Sequence, residues 1–285
     1  MRVATPISSA HMPDSRLRWL TMTTRVNRSL LVVCGLIAVG GSLPAPLHAQ
    51  TITSIINAAS GVPGGVSPGE IVVIYGTSIG PATLVPALVA GVTTLPTTLG
   101  GVSVSFNGIA APIVYVSASQ TAVQVPYELA GSSSASVLVN NGNGTSPAFS
   151  IPVVPAAPGL FTLGYSGAGQ VVAQSAGGVN SAQNPVPPGT AIVLYATGEG
   201  ASAPTGVDGV IVTTLTVRQP AQAISVQIAG VKAQVLFAGS VPGDIPGIVE
   251  IGVIVPGNLP TNLAAPITLT IGGVTTTQLA TLAVQ

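Results

Sequence analysis

Charge is scarce in this sequence, since only 5% of its 285 residues are Asp, Glu, Lys or Arg. The charge present is also unevenly placed: five of the seven basic residues (Arg2, Arg16, Arg18, Arg25, Arg28) fall in the first 28 positions. From Gln50 onward only Arg218 and Lys232 are basic, against Glu70, Glu128, Glu199, Asp208, Asp244 and Glu250. A nucleic-acid partner is therefore not expected, because phosphate binding needs clustered Lys and Arg. His11, His48, Trp19 and the single cysteine Cys34 all precede Gln50, so the remainder has no His, Cys or Trp. That removes disulfides, zinc and iron sites built on His or Cys, and the triads that pair Ser or Cys with His. Long apolar runs are missing as well. Although 47% of residues are hydrophobic, no stretch after the leader reaches the roughly 18 uninterrupted apolar residues of a spanning helix, and no membrane span is expected once the leader is cleaved.

What is present is punctuation. With 35 Gly and 25 Pro, the chain reads as short strands separated by many turns. Residues 25–49 have the parts of a secretory signal: basic Arg25 and Arg28, an apolar core from Leu30 to Val39, and a segment ending Leu47-His48-Ala49. Cleavage after Ala49 is expected, and the protein is expected to be secreted, extracellular or on the cell surface. A retained N-terminal anchor is the other reading. Met22 is the more usual start, which makes residues 1–21 a misassigned extension. Cys34 sits too early in the apolar core, and lacks the small residues before it, for a lipid-attachment site.

The stretch Pro68-Gly69-Glu70-Ile71-Val72-Val73-Ile74-Tyr75-Gly76-Thr77 returns 120 residues later as Pro188-Gly189-Thr190-Ala191-Ile192-Val193-Leu194-Tyr195-Ala196-Thr197. Each copy is a Pro-Gly turn leading into a buried strand. Val102, Val104 and Phe106 alternate with Ser103 and Ser105 before the hairpin turn Asn107-Gly108, and Ile224, Val226 and Ile228 do the same before Ala229-Gly230. Val235-Leu236-Phe237 then matches Ile113-Val114-Tyr115. Val253-Ile254-Val255-Pro256 matches Val123-Gln124-Val125-Pro126 after an insertion around Val241–Pro246. Two hairpins, Ala135–Val139 with Ala148–Val153 and Ile267–Ile271 with Gln278–Val284, close the copies. The fold class expected is all-β: two tandem immunoglobulin-like antiparallel β-sandwich domains, 51–155 and 158–285, joined by the stiff linker Val154-Pro155-Ala156-Ala157-Pro158-Gly159.

Several motifs resemble the conserved C-terminal region of secreted acidobacterial proteins, the Solibacter C-terminal domain. They are Ile56-Asn57-Ala58-Ala59-Ser60, Val66-Ser67-Pro68-Gly69-Glu70-Ile71-Val72, Gln124-Val125-Pro126-Tyr127-Glu128-Leu129, Pro155-Ala156-Ala157-Pro158-Gly159 and Leu194-Tyr195-Ala196-Thr197-Gly198-Glu199-Gly200. The resemblance extends over nearly all of 52–285, and each half is similar to an immunoglobulin-like IPT/TIG module. These motifs carry no chemistry in the family. The family region commonly ends much longer proteins, whereas here only a leader is expected before it, so no function of an upstream domain carries over. Fold alone does not supply one.

Candidate sites are few. Glu199 and Asp208 flank a Gly-rich loop and are the one candidate for a hard cation such as calcium, but two carboxylates fall short of the six to eight oxygens calcium takes. Asp208-Gly209 already reads as a turn. Glu70 has Thr190 as its counterpart, which favours a solvated or turn-bonded carboxylate over a shared role, and Glu250 has Gln120. Tyr75, Tyr195, Tyr115 and Phe237 occupy matched places and are expected in the core. Tyr127 and Tyr165 lie outside the alternation and are the candidates for exposed ligand contacts. Asn143-Gly144-Thr145 fits a glycosylation pattern but reads as a turn, and Lys232 as a solvated lysine. No cofactor is expected. With the His and Cys chemistries gone and the acids scattered, the protein is expected not to be an enzyme. The expected role is a non-catalytic module for adhesion or protein interaction, with carbohydrate binding as the alternative and hydrolysis third. The partner is an unidentified protein or glycan.

Overall fold

The computed structural model describes residues 50–88, 92–212 and 218–285. The leader, with its cleavage site, and residues 89–91 and 213–217 lie outside the described residues. The described residues are nearly all β, with one short 3₁₀ turn among them, at Tyr127–Leu129.

In the first half, Thr51–Asn57, Ile71–Thr77, Gln120–Gln124, Ile113–Val116 and Val85–Pro86 hydrogen-bond in that order into one antiparallel sheet. A second sheet runs Phe149–Pro152, Ser134–Asn140, Val102–Phe106 and Thr98–Leu99. Period-2 alternation sends Val102, Val104 and Phe106 inward, where they meet Val72, Ile74 and Val123 of the facing sheet and Val137 and Val139 of their own. The hydrophobic side chains from Ile55 to Val153 form one cluster, and those from Ala156 to Val284 another.

The second half repeats the order of the principal strands, with edge strands of its own and one difference in the middle. Ala191–Thr197 pairs with Val249–Ile254 as Ile71–Thr77 pairs with Gln120–Gln124, and the pairs Tyr75 with Gln120 and Tyr195 with Glu250 occupy the same place in the register. Both Pro-Gly turns have the same geometry, Gly69 at φ 77° and Gly189 at φ 80°. Gly69 N donates to Val125 O and Gly189 N to Val255 O. The hairpin turns match too, Asn107 at φ 51° and Ala229 at φ 50°. The difference lies at Pro112. A proline cannot donate to a ladder, so in the first half the chain breaks there into the separate short strands Ile109–Ala110 and Ile113–Val116. The second half has Gln234 at that place, paired with Ile254, and a single nine-residue strand Val231–Gly239 runs on. Its first residues pair with Ile224–Ile228 and its last with Val249–Ile254. Hydrogen bonding therefore passes continuously from one face of the core to the other, although the outer strands Gly169–Gln170 and Gly178–Val179 do not meet.

Two expectations about the core are corrected. Tyr75 and Phe237 are exposed, at 37% and 40%, while Tyr115 and Tyr195 are half-buried. Tyr75 is paired on both sides, with Ser54 and Gln120, but alternates with Val72 and Ile74 of the core and so lies on the outer face of its sheet. Phe237 follows a register shift between Val235 and Phe237 and lies over Gly252, where its ring takes the space of a Cβ. Ile224 is only partly buried against the core, whereas Val226 and Ile228 are fully inside it.

Candidate functional site

The residues that carry charge are concentrated where the two halves touch. Asn57, at the end of the first strand, is buried with all its hydrogen-bonding capacity used. Its Nδ2 donates to Glu70 Oε1 (2.9 Å) and to Ala157 O in the linker (2.8 Å), and its Oδ1 accepts from Ala59 N and Ser60 N. Glu70 Oε2 accepts from Ser67 N (2.7 Å) within the Pro-Gly turn. The expectation of a turn-bonded carboxylate holds, but Glu70 is not solvated: it is 1% exposed, and burial pushes its pKa up to about 8. One residue on, Ile71 N donates to Thr197 Oγ1 (2.9 Å), which itself donates to Gly247 O (2.6 Å) in the insertion of the second half. Thr197 is the counterpart of Thr77, which is exposed, so the repeat supplies the position and the contact between halves supplies its use.

The segment from Gly198 to Val212 lies along the first half as a strap. Gly198 and Gly200, at φ 86° and 78°, approach Ala157 O and Pro155 O so closely that no Cβ fits at either. Further along, Asp208 Oδ1 accepts from Tyr127 N (3.0 Å) and Gly209 N donates to Gln124 Oε1 (2.8 Å). Leu95 N donates to Gly209 O, Ile211 N donates to Thr93 O, and Thr94 and Val210 form a bridge. These contacts join residues far apart in sequence without any run of hydrophobic side chains.

Tyr127 is the second correction. Expected as an exposed contact, it is 5% exposed. Pro126 ends the preceding strand and starts the 3₁₀ turn, which sends the ring between the backbones of Gly69 and Gly206, where no Cβ fits. Burial first, then the nearby Glu199 and Asp208 carboxylates, push its phenol well above the ordinary range, with Arg218 opposing. Glu199 is also buried, at 4% exposed, and burial raises it to about 8 against the pull of Arg218. Its Oε2 has no hydrogen-bond partner among the described residues. Asp208 rises to about 7, through burial and a hydrogen bond shared with Glu128, which is held below its ordinary value by the same bond. Glu199 and Asp208 thus face Tyr127, Arg218 and Glu128 rather than converging on a cage of oxygens. Among the described residues no group of three or more His, Cys, Asp or Glu is placed to hold a metal ion.

The exposed candidates lie elsewhere. Tyr165 is 46% exposed in the turn Gly164-Tyr165-Ser166-Gly167, with the left-handed φ of 59° that a bulky residue rarely adopts. Leu163 N donates to Gln170 O and Gly169 N to Leu279 O, while Gln278 Nε2 donates to Gly167 O. Leu163, Tyr165 and Leu279 therefore project from neighbouring backbone, and Leu279 is 81% exposed. The loop carrying exposed Val62 lies against Ser166 and Gly167. A shallow open groove of about 270 Å³ lies on another face, lined by Pro220, Gln222, Ile224, Val235, Leu236 and Phe237. Lys232 is exposed as expected. No helix among the described residues is long and apolar enough to cross a membrane.

Neither a known family model nor a curated protein matches the chain. Among solved structures, the plexin A4 extracellular region (domains 1 to 8) aligns over 80% of this chain and 17% of its own, at 12% identity and a TM-score of 0.28. The mixed-linkage glucan utilization locus protein SGBP-B of Bacteroides ovatus, solved with a mixed-linkage heptasaccharide, aligns over 82% and 46% at 13% identity and a TM-score of 0.31. Domains 5–6 of the S-layer protein SbsC align over 82% and 96% at 15% identity and a TM-score of 0.25. The chain spans less than half the length of the plexin and glucan-locus chains. At these TM-scores the likenesses carry no argument about what the protein does.

Proposed function

We propose that the protein is an exported, non-catalytic interaction module of two tandem immunoglobulin-like sandwiches, 51–155 and 158–285, of the Solibacter C-terminal type, that binds a protein partner at the cell surface. One observation carries this reading. Glu70, Glu199 and Asp208, three of the six acids after Gln50, are turned into the contact between the halves, while the outer face presents Leu163, Tyr165 and Leu279. A hydrolase needs an acid and a base aimed at a cleft, and here Glu70 and Glu199 are buried, while Asp208 is bonded to Tyr127 N across the contact between the halves. An exposed aromatic beside exposed leucines is the composition of a binding face. Carbohydrate binding is the second reading, supported by Tyr165 as a ring on which a sugar can stack.

A glycan array, with sedimentation of the same preparation, separates the two. Absence of glycan binding together with self-association or binding to an envelope protein, lost on Leu279→Ser, supports the protein-interaction reading. Glycan binding abolished by Tyr165→Ala replaces it with the second. Turnover of glycoside, ester or peptide substrates, abolished by Glu199→Gln or Asp208→Asn, overturns both.

A further inference from the structure

We propose that the strap from Gly198 to Val212 is a proton-dependent latch, closed against the first half when Asp208 and Glu199 are protonated and loosened when they ionise. The geometry is that of a clip, a few hydrogen bonds with the Tyr127 ring packed against Gly206. The strap is held by Asp208 Oδ1 on Tyr127 N, Gly209 N on Gln124 Oε1, and the backbone bonds of Leu95 and Ile211. It carries two carboxyl groups: Asp208, which accepts from Tyr127 N but stands beside the Glu128 carboxyl, and Glu199, buried with Oε2 unpartnered among the described residues.

From the 3₁₀ turn, Asp208 is faced by the Glu128 carboxylate and the Tyr127 phenol. One proton between Asp208 and Glu128 makes a hydrogen bond, and its loss leaves two like charges side by side. Glu199 is faced by the Tyr127 phenol, and by Arg218, which favours its ionised form yet does not offset its burial. Asp244, from the insertion, caps its own turn at Val241 N (3.2 Å), while its carbonyl accepts from Val212 N at the far end of the strap. Glu70, on the other side of the contact, is bonded to Asn57 and Ser67 and has no part in the strap.

The sign follows from linkage. The closed state holds protons that the open state releases, so opening becomes more favourable as pH rises from the ordinary carboxylate range to about 7 for Asp208 and about 8 for Glu199, and levels off above that. Each linked proton changes the opening equilibrium by up to about tenfold per pH unit within that window, less for Asp208, which is half exposed.

Amide hydrogen exchange on the full chain at pH 5 and pH 8, corrected for the intrinsic rates, reads the latch directly. Protection at Leu95, Tyr127, Gly209 and Ile211 is expected to fall at least about tenfold from pH 5 to pH 8. Strand amides of Ile71–Thr77 and Val249–Ile254 report opening of the whole fold, and are expected to stay better protected than the strap amides at both pH values. Asp208→Asn preserves an acceptor for Tyr127 N and a donor for Glu128, so it is expected to hold the latch closed at pH 8. Glu199→Gln removes the second ionisation separately. Corrected protection of the strap amides that is independent of pH overturns the proposal, as does strap protection no lower than that of the strand amides at both pH values, which would mean that the strap opens only with the whole fold. An Asp208→Asn, Glu199→Gln double variant that folds normally and still opens with pH overturns it as well.

Discussion

Asn57→Ala tests how the halves are joined. Asn57 makes four hydrogen bonds: two from Nδ2, to Glu70 and Ala157, and two into Oδ1, from Ala59 and Ser60. Its side chain also fills the space against Gly159, where no Cβ fits. Each bond contributes a net of about 0.5–1.5 kcal/mol, and groups left buried and unpaired lie at the costlier end, so truncation is expected to cost about 4 kcal/mol. That is a large share of the roughly 5–15 kcal/mol by which a domain is stable. Urea unfolding read by tyrosine fluorescence and circular dichroism measures it, and with m near 2–3 kcal/mol/M the midpoint is expected to fall by roughly 1–2 M. Asn57→Asp keeps the acceptor for Ala59 and Ser60 but sets a second carboxyl against Glu70, so it is expected to be destabilised too, and more at pH 8 than at pH 5. A loss below about 1 kcal/mol for Asn57→Ala would refute the reasoning, because it would mean that these four bonds are replaced by water at no cost.

Ala229 holds a left-handed conformation without the side-chain bonds that Asn107 makes to Ser134 O and Ser136 N in the matching turn; Ala229→Gly is expected to raise stability by about 0.5–1 kcal/mol and Asn107→Ala to lower it by about 1–2, both by chemical denaturation. Gly206→Ala drives a methyl into the Tyr127 ring and is expected to cost about 1–3 kcal/mol by the same assay, with a shift in tyrosine emission. Glu70 and Glu199, raised from 4.5 to about 8, release protons on unfolding, so stability is expected to be greatest near pH 4.5 and to fall as pH rises to about 8. Glu70→Gln is expected to flatten that slope, seen as a smaller difference in melting temperature between pH 5 and pH 8. Tyr165→Ala and Leu279→Ser, on exposed side chains, are expected to change stability by less than about 0.5 kcal/mol while reducing binding.

The strands were legible because period 2 and Gly-Pro punctuation report directly on burial. Val102, Val104 and Phe106 face inward because Ser103 and Ser105 cannot, and the Asn107-Gly108 turn reveals itself by its need for positive φ. The site was not legible in the same way. Asn57, Glu70, Ala157 and the Gly198-Glu199-Gly200 run stood out as motif residues with no chemistry attached, since their partners lie across the contact between halves: Ala157 is 100 positions from Asn57, and Thr197 is 126 from Ile71. Tyr127 was misread because alternation predicts the faces of a strand, not of a residue after Pro126 that turns its ring into a space left by two glycines. The one signal available was asymmetry between the copies, Glu70 having Thr190 opposite it; Thr197 gave no signal, because its counterpart Thr77 is the same residue and differs only in being exposed. Tyr75 and Phe237 show the converse, matched positions that sit on an outer sheet face and after a bulge rather than in the core.

The central claim is that the buried acids belong to the contact between the halves while the outer face binds. Retention of labelled, purified protein on cells that secrete it, compared between Tyr165→Ser/Leu279→Ser and Glu199→Gln, tests this directly. The account predicts that the wild-type protein and Glu199→Gln are retained alike and that the surface double variant, though equally stable, washes off. Loss of retention in Glu199→Gln, with the Tyr165→Ser/Leu279→Ser protein still bound, would contradict it.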